Sequence, residues 1–231
     1  MKSKIEQLEN RGFVASGIEK KYLDTTFEQR TGLLKSRRPT DRTLGARLLT
    51  KNSDLSAIAY LIDTLIDEKK LYPKIEISNS LVSFGIDAVV PLIGLLGKIG
   101  NNQHKVVPET NFKKDNYPLP RDIAGRILVR IGTTAIPDLL KVLDSNDLIK
   151  LSEAVDAIGF ICFYEHQMNV FGLLRKCMDA NVDNNLIKWK LLRAMSAFPE
   201  SESFLREQLQ LSNEPLRLEI ERSLSLIKKR T

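Results

Sequence analysis

A basic cluster near the start of the chain has residue types that could bind an anion. Five cations surround Pro39-Thr40-Asp41, namely Lys35, Arg37, Arg38, Arg42 and Arg47. The proline predicts a helix that begins here, with Thr40 or Asp41 near its N-cap. Cations beside the free amide hydrogens of a helix start could hold a phosphate or an acidic side chain. The alternative is a solvated face on which the cations pair with acids such as Asp41 and Glu28.

A second group of candidate binding residues lies between positions 99 and 120. Asparagines and prolines accumulate there instead of periodic apolar positions, which predicts an inserted loop. Loops of about 20 residues in compact domains are often functional. This loop contains cations and aromatic rings that could close over a ligand. The alternative is a solvated loop whose aromatic rings pack on the neighbouring repeat. These residues are Lys105, Phe112, Lys113, Lys114 and Tyr117.

The third group surrounds Trp189, the chain's only tryptophan. On a helical wheel Trp189 lies nearly opposite the main apolar stripe, close to Lys188 and Arg193. If exposed, this ring could stack on a base or anchor a partner protein. The alternative is a second apolar face with Leu186 and Leu192, buried because a repeat helix is packed from both sides.

Catalytic and metal-binding patterns are not visible in the sequence. His104 and His166 are far apart and lack metal-ligand spacing, and no phosphate-binding glycine loop or nucleophile motif occurs. The sequence therefore predicts neither a cofactor nor a metal and favours a non-enzymatic protein. The spacing of Glu153 and Asp156 indicates an ordinary solvent-facing side of a helix. Cys162 and Cys177 are expected to be small buried hydrophobes.

Length and composition are those of a globular chain that buries a sizeable core. It has 231 residues, 42% of them hydrophobic, and the first 50 contribute most of the net charge of +6. The charged start and an apolar run of only ten residues, 88–97, predict neither a signal peptide nor a membrane span. We therefore expect a cytoplasmic protein without membrane contact, and the sequence leaves its oligomeric state open.

Apolar periodicity predicts an all-α fold. In 121–131 apolar residues recur at helical spacing, a turn follows at 132–134, and a second helical stripe covers 136–143 with Pro137 near its start. Similar stripes occur in 58–66, 151–158 and 187–198, and no segment alternates as a half-buried strand does. The sequence thus predicts helical hairpins.

These hairpins repeat along the chain. The stretch 88–96 aligns with 135–143 at an offset of 47 residues, and each copy follows a helix ending in an apolar residue and a glycine, Phe84-Gly85 or Ile131-Gly132. A third such ending is predicted at Ile158-Gly159. Two-helix units cannot bury their apolar faces alone, so repeats of this kind are expected to stack.

The segment 121–140 resembles the HEAT family pattern, including its bacterial lyase-type variant, in which an aliphatic–Gly turn precedes an aliphatic-Pro-x-Leu element. The resemblance is clear at 120–144 and 74–98 and covers roughly residues 39–211. It implies an α-α superhelix, or solenoid, of about five to six helical hairpins in a single domain of residues 1–231, with 1–38 as an N-terminal helical cap.

For function, the resemblance implies a scaffold whose concave surface, lined by second helices such as 135–143, binds a protein or peptide partner. Nucleic-acid binding is the alternative, because a family of DNA alkylation-repair glycosylases is built from similar repeats with a basic concave face. That family uses Trp, Asp and Arg, for which the sequence offers only Trp189, Asp183 and Arg193 in proximity. A role as a chromophore-lyase or maturation partner is the third possibility.

Overall fold

The structure, a computed structural model, describes residues 4–51, 54–110, 112–165 and 170–230. Within these ranges every regular element is a helix and no strand occurs, as the sequence predicts. None of the described helices is both long and apolar enough to cross a membrane. The chain divides into two compact units, Met1–Pro91 and Leu92–Thr231. The single array expected from the sequence stays a prediction.

The first unit begins with short elements and continues with longer helices. In order they are α1 (Ile5–Glu9), a 3-10 helix (Ile18–Tyr22), α2 (Phe27–Leu34), α3 (Pro39–Leu49), α4 (Ala57–Asp67) and α5 (Leu71–Ser83). Helix α3 packs against α2 and α5, and α5 packs against α4. Ile5, Tyr22 and Leu23 are exposed. The weak apolar pattern of residues 1–38 thus corresponds to short elements with some apolar side chains in solvent.

The second unit has a repeat-like order of helices. Helix α6 (Val89–Ile93) lies at the boundary of the two units, and then follow α7 (Ile123–Ile131), α8 (Ile136–Lys141), α9 (Leu148–Glu165), α10 (Phe171–Ala180), α11 (Asn185–Ala194), α12 (Glu202–Leu211) and α13 (Glu214–Arg230). Helices α7, α9, α11 and α13 each pack against the next, and we call them the odd row. Helices α8, α10 and α12 each pack against the odd-row helix that follows.

The 47-residue repeat has the same local structure in both copies. Gly85 and Gly132 have φ angles of 57° and 84°, a backbone conformation that residues with a Cβ rarely adopt. Each glycine opens a 3-10 helix, Gly85–Ala88 or Gly132–Ala135, whose final alanine is fully buried. The two predicted helix ends at these glycines are therefore confirmed.

The third predicted helix end, at Ile158-Gly159, is wrong. Helix α9 runs from Leu148 to Glu165 through both residues. The structure uses Gly159 for close packing instead of termination, because a Cβ there would collide with the hydroxyl group of Tyr117 and the side chain of Ala194. A glycine inside a helix costs conformational entropy, so its presence here is explained by this approach.

Candidate ligand pocket

The segment after α6 is held at both ends by α7. Residues 99–110 and 112–120 form neither helix nor strand. The buried carboxylate of Asp122 accepts a hydrogen bond from Gln103 Nε2 at 2.8 Å and also caps α7 by accepting from the Gly125 amide at 2.8 Å. Arg126 Nε donates to the carbonyl of Pro120 at 2.7 Å. Side-chain hydrogen bonds thus replace secondary structure in fixing the course of this segment.

Tyr117 anchors the segment on α9. Its side chain is almost fully buried, with its ring centroid 5.6 Å from that of Phe163 and 6.2 Å from that of Phe160. The hydroxyl group lies against Gly159, and the carbonyl of Tyr117 accepts a hydrogen bond from Tyr164 at 3.1 Å. One ring therefore docks the segment at the only backbone position in α9 that has no side chain.

The segment and the odd row enclose a cavity of about 650 Å³. This volume is typical of small-molecule and peptide-anchor sites. The wall contains six aromatic side chains, His104, Phe112, Tyr117, Phe160, Tyr164 and Trp189, and four cations, Lys114, Arg121, Arg126 and Arg193. Two groups singled out in the sequence therefore meet here, the loop group and the tryptophan group. Lys113, Lys188 and Lys105 are not among the lining residues.

Beside the pocket, buried acidic and basic side chains of α9, α11 and α13 alternate in one connected set, which we call the ionic network. Lys190 Nζ lies 2.7 Å from Glu153 Oε1 and 2.9 Å from Asp156 Oδ2. Arg193 lies 3.7 Å from Asp156 Oδ1 and 3.4 Å from Glu219 Oε2. All five residues are at most 6% exposed. Buried charges are tolerated only when they are paired, so each helix fixes the side chains of its neighbour.

The placement of Glu153 and Asp156 corrects the solvent-facing side expected from their spacing. They are 1% and 6% exposed, because α9 is packed by α7 on one side and α11 on the other. Burial raises the pKa of Glu153 to about 7 even though Lys190 opposes the shift. One feature of the sequence could have indicated this pairing. The two acids in α9, Glu153 and Asp156, and the two cations in α11, Lys190 and Arg193, are each three residues apart.

Several buried polar atoms beside the pocket have no hydrogen-bond partner. They include both ring nitrogens of His104, the Tyr117 hydroxyl, Asp156 Oδ1 and Arg193 Nε. Burial, with Arg121 and Lys190 nearby, lowers the pKa of His104 to about 4, so the imidazole is neutral at pH 7. Burial also raises the pKa of Tyr117 well above its usual value. An unmade buried hydrogen bond costs about 1–3 kcal/mol, so a polar group that reached one of these atoms would be stabilised there.

Trp189 is buried, being only 3% exposed. The guanidinium of Arg193 lies 3.7 Å from the ring centroid, and the His104 ring lies 5.0 Å away. Leu192 is also buried and Leu186 partly so, as the second apolar face requires. The guanidinium of Arg193 already stacks on the Trp189 ring, so this ring forms part of the pocket wall and is not an exposed surface on which a base could stack. Asp183, the acid considered with it, is exposed and does not line the pocket.

The basic cluster of the first unit is divided between paired and exposed cations. Arg42 binds Glu68 through two hydrogen bonds of 2.7 and 2.9 Å, and Arg47 contacts Glu19 and Glu76 at 3.1 and 3.0 Å. Lys35, Arg37 and Arg38 are exposed or partly exposed. The pairing partners are not Asp41 and Glu28, because the contacts are long-range and depend on the tertiary fold.

The helix start in this cluster also differs from the prediction. Helix α3 begins at Pro39 with Arg38 as N-cap, and neither Thr40 nor Asp41 takes that position. Asp41 lies in the first turn, where its carboxylate accepts a hydrogen bond from Ser36 Oγ at 2.8 Å. A negative charge already occupies the positive end of the helix, which weakens it as a phosphate site.

The described residues contain no group of three or more His, Cys, Asp or Glu side chains that could hold a metal ion. His166 lies outside the described residues. Cys162 and Cys177 are free and buried, and burial raises the pKa values of their thiols to about 12 and about 11. Both thiols are therefore protonated at neutral pH and poor nucleophiles.

Comparison with known proteins gives no family for this chain. No protein-family model matches it, and no curated protein is significantly similar to it.

Proposed function

We propose that this protein is a non-enzymatic binding protein whose pocket holds an acidic segment of a protein or peptide partner. The observation that carries the proposal is the meeting of unpaired cations and accessible apolar groups in one cavity. Lys114, Arg121 and Arg126 are exposed, and no described carboxylate lies within 4.0 Å of their cationic nitrogens. The one lining carboxylate, Asp156, already contacts Lys190 and Arg193.

The charge at the pocket favours a carboxylate-rich ligand. Arginine guanidinium groups bind carboxylates through two parallel hydrogen bonds, which supplies geometry as well as attraction. Arg126 already donates Nε to Pro120, so its remaining N–H groups are held in one orientation. A side chain that does not need to be ordered on binding loses less conformational entropy.

The apolar part of the wall favours one large side chain as an anchor. Tyr164 and Leu119 are 45% and 50% exposed, and Phe160 lies beside Tyr164 with a ring separation of 4.7 Å. Recognition surfaces usually gain most of their affinity from one or two such anchors surrounded by polar contacts. An acidic segment with a single aromatic or aliphatic residue matches both parts of the pocket.

The helical order is a second support. The resemblance to HEAT repeats and the successive packing of α7, α9, α11 and α13 favour a solenoid that uses one layer of helices as its binding face. The proposal assigns that face to the odd row, because no residue of 135–143 lines the pocket. The proposed binding face thus lies on the first helices of the hairpins, which form the odd row, and not on the second helices, such as 135–143, that the resemblance implies.

Trp189 provides the experiment. As the only tryptophan and a pocket wall, it reports occupancy through its intrinsic fluorescence. We expect a short blocked peptide of glutamates around one phenylalanine to change this fluorescence saturably, and the same peptide with lysines to have no effect. Arg121→Ala with Arg126→Ala should weaken binding about tenfold or more, whereas Arg217→Ala, which removes an exposed arginine outside the pocket, should not. Equal responses to both peptides would refute the proposal.

Nucleic-acid binding is a second candidate, favoured by one specific contact set. Trp189, Arg193 and Asp156 adjoin one another in the pocket, and these are the residue types that the repeat-built glycosylases use. In this set the acid beside Arg193 is Asp156, whereas Asp183 is exposed and lies outside the pocket. Exposed cations at the mouth, Arg121 and Lys114, suit a phosphate as well as a carboxylate.

Salt dependence separates the two candidates. If the protein contacts the phosphates of a single-stranded thymidine oligomer, the logarithm of its affinity for the oligomer falls steeply and linearly with the logarithm of the salt concentration. We expect this oligomer to bind more weakly than the acidic peptide at physiological salt. Tight oligomer binding that falls with salt, together with no peptide response, would make nucleic-acid recognition the function of the pocket.

A further inference from the structure

Arg222 of α13 binds the irregular segment that follows α6 but does not itself line the pocket. Its guanidinium donates to the carbonyl oxygens of Phe112, Lys114 and Asn116 at 3.0, 3.4 and 2.5 Å. Its central carbon also lies 5.3 Å from the ring centroid of Phe112. One side chain therefore contacts residues 112–116 at three backbone positions that are distant from it in sequence.

The orientation of Arg222 depends on the ionic network. Glu219, fully buried one turn earlier in α13, accepts from Arg222 at 2.8 Å through Oε1 and contacts Arg193 at 3.4 Å through Oε2. Arg193 is itself a pocket residue. A single carboxylate thus joins the wall of the pocket to the group that holds the segment over it.

Other contacts of residues 112–116 with α13 are weaker. Lys229 and Asp115 approach to 2.6 Å, but their side chains are 52% and 71% exposed. Exposed pairs of this kind contribute little because water and salt screen them. The Arg222 side chain, by contrast, is only 8% exposed. Hydrogen bonds from a charged donor are among the stronger ones in proteins, and here one guanidinium makes three of them.

We propose that Arg222 is a positioning residue that holds residues 112–117 as a wall of the pocket, so that ligand affinity depends on α13. The proposal rests on the binding function assigned to the pocket, because affinity is one of its two readouts. Phe112, Lys114, Asn116 and Tyr117 line the cavity, and Arg222 contacts the backbone of the first three. Without the guanidinium, the side chains of these residues are still present, but their backbone is no longer held against α13.

The test compares three variants by limited proteolysis with trypsin and by peptide affinity. Arg222→Ala removes the contacts, and Arg222→Lys keeps the charge beside Glu219 but cannot reach three carbonyls in the planar fork of a guanidinium. Arg217→Ala is the matched control, since Arg217 is exposed on the same helix. We expect trypsin to cleave after the exposed residues Lys113 and Lys114 about tenfold faster or more in both Arg222 variants, while the amides of α11 keep their protection from hydrogen exchange in Arg222→Lys.

Affinity for the glutamate–phenylalanine peptide, read by Trp189 fluorescence, is the second measurement. We expect it to fall about tenfold in Arg222→Lys and not to change in Arg217→Ala. Unchanged cleavage after Lys113 and Lys114 in both Arg222 variants overturns the proposal, and so does unchanged affinity in the presence of faster cleavage. If the unmodified protein binds no peptide, the proposed function fails, and the cleavage measurement alone decides whether Arg222 positions the segment.

Discussion

Two groups of charged residues in this protein differ in what surrounds them. The basic cluster of the first unit is dense in sequence, yet Lys35, Arg37 and Arg38 are exposed to solvent. The ionic network of the second unit is spread over three helices and is almost completely buried. The charged residues beside the pocket are therefore identified by their burial between helices and not by the density of charge along the sequence.

The largest expected effect comes from breaking the ionic network at Lys190. Lys190→Met leaves Glu153 and Asp156 without their closest cation in a buried site. We expect the free energy of unfolding in urea to fall by about 3–5 kcal/mol. Adding Glu153→Gln to the same chain should recover part of the loss, because one uncompensated charge disappears. A loss below about 1 kcal/mol would show that the network is hydrated and not comparable to a buried pair.

The next effect tests whether the buried region tolerates added volume. Gly159→Ala places a methyl group against Tyr117 and Ala194, so we expect a loss of about 2–3 kcal/mol in urea unfolding. Gly172→Ala in α10 is the control, because no atom lies within 4 Å of the position that its methyl group would take, and it should stabilise the helix slightly. Equal behaviour of the two variants would contradict the close packing of Tyr117.

The paired half of the basic cluster should respond less than the ionic network. Arg42→Gln removes the two-bond contact with Glu68, whose side chain is 1% exposed while that of Arg42 is 17% exposed. We expect a loss of about 1–2 kcal/mol in urea unfolding, between the values for exposed and buried pairs. Arg38→Ala, which removes an exposed cation, should change stability by less than about 0.5 kcal/mol. The reverse order would remove the distinction between the two halves.

The smallest effect concerns pH. His104 has a folded pKa of about 4, below its unfolded value near 6.5, so its contribution to stability is present above pH 6.5 and is lost as pH falls toward 4. Because His104 as a whole residue is partly exposed, we expect the difference in stability between the unmodified protein and His104→Asn to shrink by only about 1 kcal/mol from pH 7 to pH 5.

Glu153 has the opposite sign in the same pH range. Its pKa is raised to about 7, so its contribution is present below pH 4.5 and is lost as pH rises through 7. This contribution is common to both proteins and cancels in the comparison. A pH-independent difference would mean that folding does not lower the pKa of His104.

Local sequence patterns predicted the helices with little dependence on context. The stripe in 121–131 became α7, and the stripe in 136–143 became α8 and the 3-10 helix Val142–Asp144 that follows it. Gly85 and Gly132 ended helices because the turn needs a positive φ. The same pattern failed at Gly159, where the glycine serves contact with Tyr117 instead of a turn. A glycine alone does not distinguish these two uses, since the difference lies in a residue that is distant in the sequence.

The candidate site was predicted in pieces. Phe112, Lys114 and Tyr117 were identified as a loop group, and Trp189 and Arg193 as a helix group, from residue type and local spacing. Their meeting in one pocket was not predicted, because it depends on where α9 and α11 place the segment.

The sequence by itself determined an all-helical chain with a 47-residue local repeat and an irregular stretch after α6, since helix periodicity and turn chemistry act over a few residues. Only the tertiary structure decided which charges are buried. Glu153 and Asp156 look solvent-facing on an isolated helix, yet packing from both sides excludes water there and makes Lys190 and Arg193 their obligatory partners.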